Sequence, residues 1–144
     1  VDMQLIIGGA FSGKRKIVKN LSGNVSWISS YEQQSLSNWE KVWEIDSNLV
    51  LEGWENWLRT EIQSGRSIAA IRQQMNTLFA ELKAEEKRRD QQVILIMLEM
   101  GRGIVPLEEE NRQLRDLTGW IQQDAAEISE KVIYVWHGLT RVMK

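Results

Sequence analysis

The chain has 144 residues, 42% of them hydrophobic and 26% charged, with a net charge of −2 at pH 7. That length accommodates one domain with a sizeable core. The near-neutral charge excludes the basic field that gathers nucleic acid or an anionic membrane surface, and the lack of cysteine removes disulfides, thiolate metal sites and cysteine nucleophiles. Taken in chain order, MQLII (3–7) reads as a strand and runs into GGAFSGK, a glycine-rich turn, after which a helix is expected over 13–21. VSWIS (25–29) is a second strand. The stretch 30–46 is the least patterned and is expected to hold a short helix around Asn38–Ile45. NLVLE (48–52) is a third strand, followed by a helix over 54–64 that gathers Trp54, Trp57, Leu58 and Ile62 on one side. Residues 67–89 form a long amphipathic helix through Ile68, Ile71, Met75, Leu78 and Leu82, with a solvated charge run at its end. QVILIMLE (92–99) and KVIYVW (131–136) are further strands, separated by a helix over 106–130 with Pro106 in its first turn, where a missing N–H costs nothing. TRVMK (140–144) can return as an edge strand after Gly138.

The strands are almost continuously apolar instead of alternating, which suits strands covered on both faces. With helices between them, the pattern predicts an α/β domain in three layers around a mostly parallel sheet of five to six strands. No apolar run approaches the roughly 18 residues that span a membrane, and no secretory signal pattern is visible, so a cytoplasmic protein is expected. Seven tryptophans serve either a core or a subunit interface.

Gly8, Gly9, Ala10, Phe11, Ser12, Gly13 and Lys14 satisfy the pattern G-x-x-x-x-G-K, in the setting that gives it meaning: a strand before and a helix after. Glycines allow the backbone to wrap phosphate oxygens, and the N–H groups at a helix start converge on an anion. Lys14 adds a point charge for the β- and γ-phosphates. Arg15 stands where such loops usually offer Mg²⁺ a hydroxyl. A guanidinium cannot ligate a metal. Either it turns away or binds phosphate, leaving a metal-poor anion site, or Mg²⁺ is held by carboxylates and water.

Ligands of open parallel sheets sit beyond the carboxyl ends of the strands. Glu52 and Glu99 end two strands and are expected there: Glu52 to steady Mg²⁺, Glu99 to take a proton from a substrate hydroxyl. The alternative for each is a strand-end carboxylate that caps the helix or turn that follows. Arg112 and Asp116, four apart on the last helix, can pair along its surface. His137, the single histidine, reads as a turn residue before Gly138.

The C-terminal third, EMGRGIVPLEEENRQLRDLTGW and onward to the terminal lysine, resembles the adenosylcobinamide kinase/adenosylcobinamide-phosphate guanylyltransferase family. Glu99, Gly101, Gly103, Ile104, Val105, Pro106, Asn111, Arg112, Arg115, Asp116, Gly119, Gly138 and Lys144 match its motifs. GGAFSGK and LVLEGWENWL are similar to its opening loop and to its acidic strand end before a tryptophan helix. The resemblance implies a P-loop NTPase-like fold, ATP or GTP and a corrinoid as ligands, phosphorylation of the aminopropanol hydroxyl of adenosylcobinamide, and a homo-oligomer, usually a trimer. It also implies guanylyl transfer through a histidine, but the insert that carries this histidine in the family is replaced here by 30–46, which has none. Arg15 in place of the loop serine, and Leu98, Gln122 and Asp124, are further departures. The expectation is a shortened kinase without guanylyltransferase activity, or a paralogue that binds nucleotide or corrinoid without catalysis.

Overall fold

The computed structural model describes residues 2–9, 13–21, 23–99 and 108–144. Six strands are hydrogen-bonded in one sheet: β1 (Gln4–Gly8), β2 (Val25–Ser29), β3 (Asn48–Glu52), β4 (Val93–Leu98), β5 (Lys131–Trp136) and β6 (Leu139–Val142). Their order across the sheet is β2-β3-β4-β1-β5-β6, all parallel except β6, which returns antiparallel to β5. Among the described residues five α-helices accompany them: α1 (Lys14–Leu21), α2 (Trp39–Val42), α3 (Trp54–Gln63), α4 (Ile68–Arg89) and α5 (Glu109–Ile128). The fold is therefore α/β of the P-loop NTPase-like kind, as expected from the strand pattern.

Period-two alternation divides the apolar strands between two cores. Leu5, Leu49, Leu51, Val93, Leu95 and Met97 pack with α3, α4 and α5 through Leu58, Ile71, Phe79, Leu82, Leu117 and Ile121. Ile6, Val50, Ile94, Ile96, Ile133 and Val135 form a smaller core with Val18 of α1. The crossover from β1 to β2 thus lies on one face and those from β3 and β4 on the other. Adjacent strands β1 and β4 lead to opposite faces, and such a switch point opens a crevice at their carboxyl ends.

The element boundaries follow local chemistry. The Ser67 side chain accepts the Ala70 N–H at 3.1 Å to start α4, and Asp90, left-handed at φ 54°, stops it after a basic last turn. Segment 30–46 forms two single 3-10 turns, Ser30–Glu32 and Leu36–Asn38, then the one-turn α2, which is shorter than the expected helix. Helix α5 begins among the described residues at Glu109; Pro106 lies outside them. Trp39, Trp43 and Trp54 are buried, so these three serve the core, and each of Trp43 and Trp54 donates its indole N–H to a backbone carbonyl. Asp124 clamps α5 to α4 through both oxygens on Arg72 (2.8 Å each), and Gln122 donates to the Leu98 carbonyl (2.7 Å). Two of the family departures are thereby absorbed into packing. Asp116 is engaged by Arg115 at 3.0 Å. No helix among the described residues is long and apolar enough to cross a membrane.

Candidate functional site at the carboxyl end of the sheet

Gly8 ends the central strand level with Leu98 of β4 and Val135 of β5. The chain then passes Gly9 and, at Gly13, enters α1. Gly13 has φ 97°, a left-handed conformation that favours glycine. Ala10, Phe11 and Ser12 lie outside the described residues. Lys14 opens α1 and turns back over the loop, its Nζ donating to the carbonyls of Gly8 (3.1 Å) and Gly9 (2.7 Å). Burial lowers its pKa, opposed by the negative charges of Glu55 and Glu52.

Arg15 does not turn away from the strand ends. Its Nη2 lies 2.7 Å from Oε1 of Glu52, the last residue of β3. The two partners sit in different media: the Glu52 side chain is 2% exposed, that of Arg15 52%. Glu52 Oε1 makes no aligned hydrogen bond, so the attraction is an ion pair held by charge alone. The guanidinium is braced further by Trp27, whose ring centre is 5.2 Å away, and by Glu32 at 3.9 Å.

The turn after Glu52 adds a second carboxylate. Gly53 is left-handed at φ 85°, and a Cβ built there would meet Ser30 Oγ at 1.8 Å. Ser30 Oγ occupies that space because it donates to the Gly53 carbonyl at 2.6 Å. The tight turn places Glu55 in the first turn of α3, where its Oε2 accepts the Tyr31 hydroxyl at 2.5 Å. Burial, then the bond and charge of Glu55, push the Tyr31 phenol above its ordinary pKa. Glu55 Oε1 is buried without a hydrogen-bond partner.

Glu99 lies just beyond β4, and its N–H donates to the Gly8 carbonyl at 2.9 Å, fixing it beside the start of the loop. Its carboxylate accepts the Tyr134 hydroxyl from β5. Lys14, Arg15 and Glu52 are thus brought together, with Glu99 on the same edge of the sheet. His137 sits in the β5–β6 turn at φ 48°, its ring against Trp136.

Sequence reasoning passed over Trp27, Tyr31, Glu55 and Tyr134. Only Tyr134 carried a signal, as a hydroxyl-bearing residue in an otherwise apolar strand. A divalent metal at Glu52, the sequence expectation, would have to share that carboxylate with the Arg15 guanidinium, which already lies 2.7 Å from its Oε1. Among the described residues, no group of three histidines or carboxylates is placed to hold a metal. With its Oε1 2.7 Å from the permanent positive charge of Arg15, the Glu52 side chain as it stands does not suit a divalent cation.

Comparison with known proteins adds two findings. The profile of the cobinamide kinase / cobinamide phosphate guanyltransferase family matches residues 24–143, a span that begins after α1 and so leaves out the glycine-rich loop. The chain is also similar to the bifunctional adenosylcobalamin biosynthesis protein CobP of Pseudomonas aeruginosa. The identity is 26% over 169 aligned positions, covering 97% of this chain and 96% of the relative. Because the aligned span exceeds this chain's 144 residues, the relative carries segments that this chain lacks. This chain belongs to the cobinamide kinase / cobinamide phosphate guanyltransferase family.

Proposed function

We propose that the protein is a nucleoside-triphosphate-dependent kinase of cobalamin biosynthesis that phosphorylates the aminopropanol hydroxyl of a corrinoid and lacks the guanylyltransferase step. The observation that carries this reading is Lys14 folded over the loop carbonyls, with Glu99 tied to the same loop at Gly8. ATP or GTP would lay its phosphates on the N–H groups of residues 8–15, and Lys14 would exchange its carbonyl contacts for phosphate oxygens. The corrinoid hydroxyl oxygen bonds to the γ-phosphorus as the bond from that phosphorus to the bridging oxygen breaks. The nucleoside diphosphate leaves, and Glu99, oriented by Tyr134, accepts the hydroxyl proton. Lys14 and Arg15 stabilise the charge spread over the transferring oxygens.

The absence of a guanylyl acceptor is supported by the histidine content: His137 is the only one in the sequence, and it lies in the β5–β6 turn. By family resemblance the protein is a homo-oligomer, and the exposed Trp136, Leu139, Val142 and Met143 suit such association. A second reading, a binding protein without catalysis, is favoured by the Arg15–Glu52 pair. Incubation with adenosylcobinamide and γ-labelled ATP or GTP separates the two. The kinase reading expects label on the corrinoid, lost in Lys14→Ala, and no label on protein or corrinoid from α-labelled GTP. No transfer with either nucleotide refutes it.

A further inference from the structure

We propose that Arg15 stands in for the divalent cation of this site, so that the protein binds a nucleoside triphosphate without Mg²⁺. The inference rests on the reading that residues 8–15 hold phosphates. Three observations place the guanidinium in the role. It follows Lys14 directly in the first turn of α1, where the loop hydroxyl for a metal is missing. It is 2.7 Å from the buried oxygen of Glu52, the carboxylate that would serve the metal. It is also stacked over Trp27 and flanked by Glu32, which limits where it can go.

A metal entering here would have to displace a fixed positive charge from a sealed carboxylate and shed water that Mg²⁺ gives up reluctantly. A guanidinium avoids both demands. It presents five N–H donors in a planar fork suited to phosphate. One nitrogen faces Glu52, and the half-exposed remainder can meet phosphate oxygens beside Lys14. Glu52 is then a positioning residue, which holds Arg15 instead of a metal.

The test is calorimetric titration of the full chain with ATP, GTP and inorganic triphosphate, in excess EDTA and in excess Mg²⁺. The expected result is the same affinity within about twofold in both buffers, whereas Arg15→Ser loses about tenfold or more in EDTA and recovers on adding Mg²⁺. Arg15→Lys keeps a counter-charge for Glu52 and guards against a folding defect; it is expected to bind in EDTA several-fold more weakly than the parent. Paramagnetic resonance of Mn²⁺ gives a second readout, with immobilised metal expected in the ATP complex of Arg15→Ser and not in that of the parent. If the parent binds ATP only with Mg²⁺, or immobilises Mn²⁺ at this site, Arg15 does not replace the cation, although the phosphate site stands. If no phosphate compound binds in either buffer, the phosphate-site reading falls, and the inference with it.

Discussion

Arg15 and Glu52 should also be coupled in stability, and the size of that coupling can be worked from their burial. Removing one partner of a fully buried ion pair costs about 3–5 kcal/mol, because the other charge is left uncompensated. Here only Glu52 is sealed, with 2% of its side chain exposed, while Arg15 is 52% exposed and screened by solvent. Roughly half the buried figure is appropriate, so Arg15→Ser should lower stability by about 2 kcal/mol. Glu52→Gln keeps the shape and removes the charge that needs a partner, and should cost about 1 kcal/mol. With both changes there is no buried charge to strand. The double variant should therefore lose less than the sum, with a coupling of about 1–2 kcal/mol. Urea unfolding of the four proteins reads this directly, as shifts in midpoint at constant slope. Losses that add to within about 0.5 kcal/mol would show that the two side chains do not sense each other.

Three further outcomes follow from other parts of the fold. Glu86 is buried in α4, and its Oε2 accepts the Val93 N–H at 2.6 Å; burial outweighs that bond and pushes its pKa up to about 7. The folded chain therefore holds this proton where the unfolded chain has released it, so the stabilisation is complete below the unfolded value and is lost as pH rises to about 7. Glu86→Gln should remove most of that decline, gaining on the order of 2–3 kcal/mol over the parent at pH 8 and little at pH 4; parallel pH–stability curves would exclude it. Gly53→Ala forces a left-handed alanine, costing about 1–2 kcal/mol, and must also push Ser30 aside, so its urea midpoint should fall below the parent's. An unchanged midpoint would mean the turn relaxes freely. Asp124→Asn should lower the melting temperature at pH 7, because the Arg72 bond holds the Asp124 pKa down. That stabilisation is present above the unfolded pKa and disappears as pH falls through the folded value, so the difference should vanish in acid; a gap that persists there would point to packing instead.

Much of this arrangement was legible in the sequence. Near-continuous apolar strands with helices between them gave the layer order, since only a sheet covered on both faces accommodates NLVLE and QVILIMLE. Strand ends and the glycine-lysine spacing located Lys14, Arg15, Glu52 and Glu99 on one edge. What the sequence left open depended on contacts between distant segments. Whether Arg15 turned away or engaged a partner was decided by the 2.7 Å approach of Glu52, and Glu52 is 37 positions further along the chain. Tyr31 joined the site because two 3-10 turns fold segment 30–46 back onto α3, where Trp57 donates to the Gln34 carbonyl. No periodicity announces such turns. The tryptophans show the same limit, since spacing placed Trp54 and Trp57 on one helix face but did not say what lay opposite. In the structure it is Phe79 of α4, 5.5 Å from Trp54.

The central claim is phosphoryl transfer to a corrinoid hydroxyl, and phosphorus NMR of one reaction tests it most directly. With full-length protein, adenosylcobinamide and equimolar ATP or GTP, the account predicts loss of the γ-phosphate resonance and growth of a phosphomonoester signal that travels with the corrinoid on chromatography. A triphosphate spectrum that stays unchanged, or one that yields inorganic phosphate alone, would contradict it.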